Sequence, residues 1–293
     1  MASSLGGRVE ALAENLEAAL AGQERGIHQA RVATRRLREI VPVVVETRKG
    51  LGAKLRRRLK RLTRALGPVR ELDVACALVT DRAAGQPEPA VVALRAHLTE
   101  QRLVALDRLH KACDAHRATW LVEHLTDVVR ELERVARSGR GELAGRERRR
   151  LARRVIDRAQ ALGDAVTAAG AILIVDRAHA VRIAAKRLRY ALELTGELRL
   201  ARTSALVSSL RTIQDVLGEL HDLDVLRREA ARVRRDLPPD SIVAKDLERM
   251  STALDADIRH LHARYLRGAR ALMGLADRVR DRIAPCLDLS IST

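Results

Sequence analysis

Apolar residues recur every three to four positions along most of the chain, which is the spacing of an α-helix with one buried face. In residues 51–70, for example, leucines stand at positions 55, 59, 62 and 66. Breaks in the pattern fall at glycine and proline. The pattern predicts five helices in the first part of the chain, over about 5–21, 27–48, 51–84, 90–115 and 118–138. Pro42 should kink the second of these, and Gly67-Pro68 should interrupt the third.

The composition narrows the fold class. Hydrophobic residues make up 47% and charged residues 32% of the 293 positions, a balance typical of a folded chain. There is no Phe, one Trp and two Tyr, whereas Leu, Ala and Arg are abundant. Leu, Ala and Arg favour helices, and strands favour aromatic and β-branched residues. We therefore expect an all-α fold.

The sequence repeats itself at an offset of 151 residues. "HQARVATRRLR" (28–38) aligns with "HAVRIAAKRLR" (179–189), and "LGPVRELDV" (66–74) aligns without a gap with "LGELHDLDV" (217–225). Pro87 aligns with Pro238 at the same offset. This indicates a tandem duplication, in which each copy is one structural unit. We predict two pseudo-symmetric helical bundles of the four-helix type, over 1–141 and 146–293, joined at "SGRGELAG" (138–145), with a groove or channel between them.

Each copy of the first motif sets a histidine at the head of a row of cations. The intervals of three, seven and ten residues keep the row on one side of a helix, beside the apolar stripe that must face the core. One further cation of each motif lies on the other flank of the stripe. The cations and histidines are His28, Arg31, Arg35, Arg36 and Arg38 in the first copy, and His179, Arg182, Lys186, Arg187 and Arg189 in the second.

The helix that follows in the first copy is unusually basic. Residues 51–70 contain eight Lys or Arg and no acid, and the basic positions include Lys54, Arg57, Lys60, Arg61 and Arg64. Like charges four residues apart destabilise a helix by a few tenths of a kcal/mol per pair, so we expect a bound anion to neutralise them. In the second copy only the position of Lys60 stays basic, as Arg211. The first copy should therefore dominate an anion site.

A further basic run lies at "RERRRLARRVIDR" (146–158). Its charges are explained equally well by a solvated amphipathic face and by a part in the same site.

The overall charge indicates the class of partner. A formal net charge of +17 attracts polyanions. Proteins that bind single-stranded nucleic acid commonly stack bases on aromatic side chains, which this chain almost lacks, so RNA and single-stranded DNA are disfavoured. Cys76, Cys113 and Cys286 are too few and too dispersed for a disulfide framework, and we expect reduced thiols in the cytoplasm. No signal peptide is apparent, and the longest apolar run, "AVTAAGAILIV" (165–175), is too short for a membrane span.

At these two duplicated motifs the chain resembles the CHAD family, the conserved histidine α-helical domain. The resemblance spans essentially the whole chain. It implies two helical bundles around a basic cavity or channel that binds inorganic polyphosphate, for which phosphate or sulfate ions could substitute. The site residues would be the ten motif residues given above, and less exactly Lys54, Arg57, Lys60, Arg61, Arg64 and Arg211. A role on polyphosphate granules would fit such binding.

The two histidines have two explanations of similar weight. They are either ordinary packed or surface residues, or they donate hydrogen bonds to phosphate. In the second case a bound anion would raise the pKa of His28 and His179, and binding would tighten below about pH 6.5, the unperturbed value.

The sequence also contains features that bear on metal binding and on catalysis. "ELD" (71–73) and "HDLD" (221–224) could hold a metal ion, but Arg70 aligns with His221. We therefore expect Asp73 and Asp224 to anchor neighbouring arginines and orient the cation row instead. No P-loop, G-x-S-x-G or H-E-x-x-H segment occurs, nor the E-x-E-x-K signature of the CYTH domains to which CHAD modules can be fused, so we expect neither catalysis nor a cofactor. The alternatives are a sequence-independent nucleic-acid binder and a structural protein for an acidic partner.

Overall fold

A computed structural model describes residues 1–46, 49–82, 88–138 and 145–283, and these residues form helices without strands. The helices are α1 (Ala2–Leu20), α2 (Glu24–Val44), α3 (Gly50–Arg82), α4 (Pro89–Ala112), α5 (Ala115–Arg137), α6 (Gly145–Ala169), α7 (Val175–Glu197), α8 (Ser204–Arg235) and α9 (Ile242–Ile283). The all-α prediction is confirmed. Residues 139–144 of the predicted junction, Pro87, Cys286 and the predicted helix ends at Arg48 and Ala84 lie outside the described residues.

The helices pack in the same order in the two halves of the chain, α1–α5 and α6–α9. In the first half, α1, α2, α3 and α4 pack consecutively and α5 returns onto α1. In the second half, α6, α7, α8 and α9 pack consecutively and α9 returns onto α6. Helix α7 begins 151 residues after α2, at the predicted offset. The pseudo-twofold symmetry of the two copies, and their bounds at 1–141 and 146–293, stay predictions.

The second copy does not repeat every helix of the first. The turn between α4 and α5 is stabilised by Asp114, whose carboxylate accepts a hydrogen bond from the backbone N–H of Arg117 at 2.8 Å. At the 151-residue offset, Asp114 and Arg117 align with Tyr265 and Gly268 of the second copy, and Tyr265 is buried. No capping side chain stands there, so the chain continues as the single 42-residue helix α9.

The predicted interruption at Gly67-Pro68 is wrong, because α3 is one continuous helix of 33 residues. Pro68 lies on its exposed face, and neighbouring residues Leu66 and Val69 are fully buried. Packing of the apolar stripe offsets the backbone hydrogen bond that a proline removes. Pro42 lies inside α2, two residues before its end at Val44, and the kink expected there stays a prediction.

The two halves share a continuous core. Buried apolar side chains from both form one cluster. Polar contacts cross the boundary as well: Arg82 of α3 pairs with Asp257 of α9 at 2.7 Å, and His97 of α4 contacts Glu229 of α8 at 3.0 Å. Helix α2 packs on α7 and α3 packs on α8 at this boundary. The residues of the duplicated motifs therefore face one another.

Candidate anion-binding site

The cation rows of α2 and α7 meet in a small cavity between the two halves, which we call the inter-half cavity. Its volume is about 140 Å³. Their apolar positions, such as Leu37 and Leu188, are fully buried, and this fixes the rows beside the core. The cavity is lined by Arg35, Arg38, Glu39, Thr63, Arg182, Ile183, Lys186, Arg187 and Tyr190. Five of these nine residues are cations, and only Glu39 is acidic.

Two ion pairs at equivalent positions of the repeat hold the deepest arginines. Arg31 of α2 lies 3.6 Å from Glu71 of α3, and Arg182 of α7 lies 3.8 Å from Asp222 of α8. Both arginines and both acids are related by the 151-residue offset. Burial, followed by the charge of Arg35, lowers the pKa of Arg31 to about 10, so it still carries a charge at neutral pH.

Lys186 is a basic residue of this cavity whose surroundings strongly disfavour its charged form. Burial, and after it the charges of Arg182, Arg35 and Arg31, lower its pKa to about 6, whereas Asp222 acts in the opposite direction. No ion pair of Lys186 is present among the described residues, 1–46, 49–82, 88–138 and 145–283. The amine is therefore largely neutral at pH 7 in the ligand-free protein, and a bound anion would restore its charge.

A second cavity of about 590 Å³ lies between α7 and α8, and we call it the α8 cavity. Arg182 and Lys186 line both cavities, so these two side chains form the wall between them. Arg189, Arg211, Asp215, Glu219 and Asp222 also line the α8 cavity. Its carboxylates make it less cationic than the inter-half cavity.

Glu193 of α7 lies close to three further arginines of the predicted site, one each on α2, α7 and α8. It lies 2.7 Å from Arg189, 3.5 Å from Arg211 and 3.7 Å from Arg36. Sequence reasoning missed this carboxylate because it stands outside both motifs, four residues after Arg189. One helical turn separates the two residues, which is the spacing that brings side chains together.

The two predicted histidines occupy different environments. His28 is exposed, and partial burial followed by the Arg70 and Arg31 charges lowers its pKa. His179 has its Nδ1 atom 3.0 Å from Nδ1 of His221. Burial, then His221 and Arg182, lower the pKa of His179 to about 4. Without a ligand, both rings therefore favour the neutral form more than an ordinary histidine does.

The prediction that Asp73 and Asp224 orient the cation rows of α2 and α7 is wrong. Asp73 pairs with Arg102 of α4 at 2.6 Å, and Asp224 pairs with Arg227 and Arg228 of its own helix. Glu71 and Asp222 anchor the row arginines instead. Two residues along a helix correspond to a rotation of about 200°, so Asp73 and Glu71 lie on nearly opposite faces. The alignment of Glu71 with Asp222 was the signal that could have identified them.

The basic row of α3 lies apart from the inter-half cavity. It lines two adjoining cavities of about 560 and 520 Å³, whose other wall comes from the end of α4 and the start of α5. Neither includes a residue of α2 or α7. The expectation that this row would dominate a single site shared by both copies is therefore not met by the geometry. The row members that line these cavities are Lys54, Arg57, Lys60, Arg61 and Arg64.

Part of the basic run at 146–158 is paired and not merely solvated. Arg154 and Arg158 of α6 lie 2.7 and 3.4 Å from Glu39 of α2, which lines the inter-half cavity. Glu39 is thereby neutralised from α6, and the charges facing the cavity stay predominantly positive.

The sequence of residues 3–231 matches the family model of the CHAD domain, and this range includes every residue of the site described above. This chain belongs to the CHAD domain family. The last four residues of α8 and all of α9 follow the matched range. No curated protein matches the CHAD chain.

Solved structures share the CHAD fold of this chain. It is similar to the CHAD domain of the plant Ricinus communis, with a TM-score of 0.64 and 23% identity over 92% of this chain and 90% of the plant chain. It is also similar to PptA from Streptomyces chartreusis, with a TM-score of 0.58 and 16% identity over 94% of this chain and 97% of that one. At this identity both likenesses establish the fold alone. In the described part of the chain, no helix is apolar over a length that could cross a membrane.

Proposed function

We propose that this CHAD protein binds inorganic polyphosphate, with the inter-half cavity as the principal site. The main support for this proposal is that basic side chains from both halves of the chain line one cavity, among them Arg35, Arg182 and Lys186. Burial, and after it the charges of Arg182 and Arg35, lower the pKa of Lys186 to about 6. Because the folded protein holds these cations close together against their mutual repulsion, an anion that binds between them would be stabilising.

The chemistry of the cavity fits a phosphate chain. Arginine donates two parallel N–H groups to phosphate oxygens, and lysine contributes a mobile point charge. Arg182 and Lys186 face both the inter-half cavity and the α8 cavity, so a linear anion could contact them from either side. Arg211 lines the α8 cavity and also a neighbouring cavity of about 750 Å³ that contains Arg36. These shared residues define a path for a chain longer than one phosphate.

A ligand without bases fits better than nucleic acid. Trp120 is the one tryptophan in the sequence, and the guanidinium of Arg58 covers its ring at 4.1 Å. Tyr190 and Tyr265 are buried. The surfaces on which bases would stack are therefore occupied by the protein itself.

The proposed role is binding without catalysis, in the cytoplasm, and it would recruit the protein to polyphosphate granules. Phosphoryl transfer generally requires acids that hold Mg²⁺ or Mn²⁺ against the phosphates. The acids nearest the cavity, Glu39, Glu71 and Asp222, are instead paired with arginines at 2.7–3.8 Å.

Titration calorimetry with long-chain polyphosphate at about 150 mM salt tests the proposal. Duplex DNA and heparin serve as competitors. The variant Arg35→Gln/Lys186→Gln removes two basic side chains of the cavity that have no ion pair among the described residues, and so it spares the buried pairs of Arg31 and Arg182. The matched control is Arg259→Gln/Arg267→Gln, which removes two exposed charges of α9.

We expect polyphosphate to outcompete both other polyanions and the cavity variant to bind at least tenfold more weakly than the control. The affinity should fall with salt as counterions are released. Equal affinity for all three polyanions, or equal losses in both variants, would reduce the binding to diffuse charge and contradict a dedicated site.

A further inference from the structure

Six cations of α3 form a continuous basic surface that the inter-half cavity does not use. They are Lys54, Arg57, Arg58, Lys60, Arg61 and Arg64, and we call them the α3 strip. Because α3 rises 1.5 Å per residue, the strip is about 15 Å long. All except Arg58 are exposed.

The α3 strip differs from the inter-half site in having no counter-ions. Among residues 1–46, 49–82, 88–138 and 145–283, none of its six cations forms an ion pair with a carboxylate. By contrast, Arg31, Arg182 and Arg189 are paired with Glu71, Asp222 and Glu193. The repulsion within the strip is therefore relieved by solvent ions or by a ligand.

The strip lines a groove and not a flat face. The cavities of about 560 and 520 Å³ adjoin, because Arg57 and Arg61 line both. The opposite wall contains Ala112, at the end of α4, and Trp120 of α5. A flexible chain of phosphates can lie along such a groove and place its charges against successive cations of the strip.

Side chains on the groove wall are held in place by the protein. Arg61 donates to the backbone carbonyl of Lys111 at 3.3 Å. Arg58 lies over Trp120, and Trp120 stacks on His124 with ring centroids 4.0 Å apart. Beneath the strip, Leu55, Leu59 and Leu66 are fully buried, so core packing keeps the cations on one face. The charges are thus positioned before any ligand binds.

We propose that the α3 strip is a second, independent polyphosphate site, so that one protein molecule holds two chain segments at once. This inference rests on the proposed function. Two sites on one protein convert it from a simple binder into a cross-linker of polyphosphate chains, because each long chain can engage several protein molecules.

The first experiment measures stoichiometry by calorimetry with inorganic tripolyphosphate, which is too short to reach both sites. The wild-type protein should bind two molecules. Arg57→Gln/Arg61→Gln should bind one, and so should Arg35→Gln/Lys186→Gln. Two controls should bind two: Arg259→Gln/Arg267→Gln, and Arg57→Lys/Arg61→Lys, which keeps the charge of the strip.

The second experiment adds long-chain polyphosphate and follows light scattering. We expect wild type and controls to form large assemblies, and both site variants to lose at least tenfold of the scattering signal while their melting temperatures stay within a few degrees of wild type. One tripolyphosphate per wild-type molecule, lost only in the cavity variant, would overturn the second site and leave the proposed function intact. No binding by wild type at all would overturn both. Binding of duplex DNA by the strip in preference to polyphosphate would overturn the assignment of its ligand.

Discussion

The Nδ1 atoms of His179 and His221 lie 3.0 Å apart at the boundary of the two halves. Two imidazole nitrogens form a hydrogen bond only when one carries hydrogen and the other presents its lone pair. Nε2 of His221 lies 3.7 Å from Oε1 of Glu71, which favours an N–H at Nε2. His179 is then the donor at Nδ1, and the contact links α7, α8 and α3 in the ligand-free protein.

His179 should titrate far below an ordinary histidine. With a pKa of about 4 in the folded protein, it stays neutral over a range in which the unfolded chain, with a value of 6.5, binds a proton. Unfolding then takes up a proton, so the contribution of His179 to the free energy of unfolding falls as the pH decreases from about 6.5 to about 4. Imidazole NMR titration measures this directly, and a midpoint near 6.5 without ligand would contradict it.

A role for the histidines in binding is tested by His28→Gln/His179→Gln. If a bound anion raises their pKa values from the lowered ones, polyphosphate affinity should increase at least severalfold as the pH falls from about 6.5 towards 4. The double variant should lose that increase. Affinity profiles that coincide for the wild type and the variant would assign the rings a packing role.

Lys186→Met should stabilise the ligand-free protein while weakening its binding of polyphosphate. Burial and three nearby arginines disfavour the charged amine, and an apolar side chain of similar length avoids this cost. We expect the free energy of unfolding to rise by about 1–4 kcal/mol, as measured by denaturant titration. A loss of stability would mean that Lys186 has a favourable partner in the folded state.

Lys186 should also couple proton binding to the stability of the protein and to its binding of polyphosphate. Between pH 6 and 10.5 the unfolded chain binds a proton at Lys186 that the folded protein lacks, so stability increases with pH over this range, and Lys186→Met should remove the dependence. Polyphosphate binding at pH 7.5 should take up close to one proton for the same reason. Calorimetry in two buffers of different ionisation enthalpy measures that number, which should be near zero in Lys186→Met.

Glu71→Gln should have the opposite effect to Lys186→Met: it should destabilise the ligand-free protein and increase the stabilisation by polyphosphate. Burial acts to raise the pKa of Glu71, but His221, Arg31 and Arg182 outweigh it and lower the pKa. Its stabilising effect is present above about pH 4.5 and is lost as the pH falls through the lowered value. We expect the variant to lose about 1 kcal/mol near neutral pH.

The loss of stability in Glu71→Gln should be smaller when polyphosphate is bound, because the ligand then neutralises Arg31 and Arg182 in place of Glu71. Thermal melts with and without polyphosphate show this as a larger ligand-induced shift than in the wild type. Asp107→Asn, an exposed surface change on α4, is the control and should melt like the wild type. An unchanged ligand-induced shift in Glu71→Gln would indicate that the anion does not reach Arg31 or Arg182.

The sequence by itself determined the all-α class, the positions of α1–α5 within a few residues and the cation rows of α2 and α7, because these depend on local spacing and on an offset of 151 residues. The tertiary structure decided the rest. Whether Gly67-Pro68 breaks α3 depends on the packing of its neighbours, and whether α9 divides depends on the burial of Tyr265. The partners of the arginines, Glu71 in place of Asp73 and Glu193 outside both motifs, depend on which helix faces join. Charge interactions depend on distances in space between different helices. The pattern of charges along one helix therefore does not reveal that the α3 strip and the inter-half cavity are two different places.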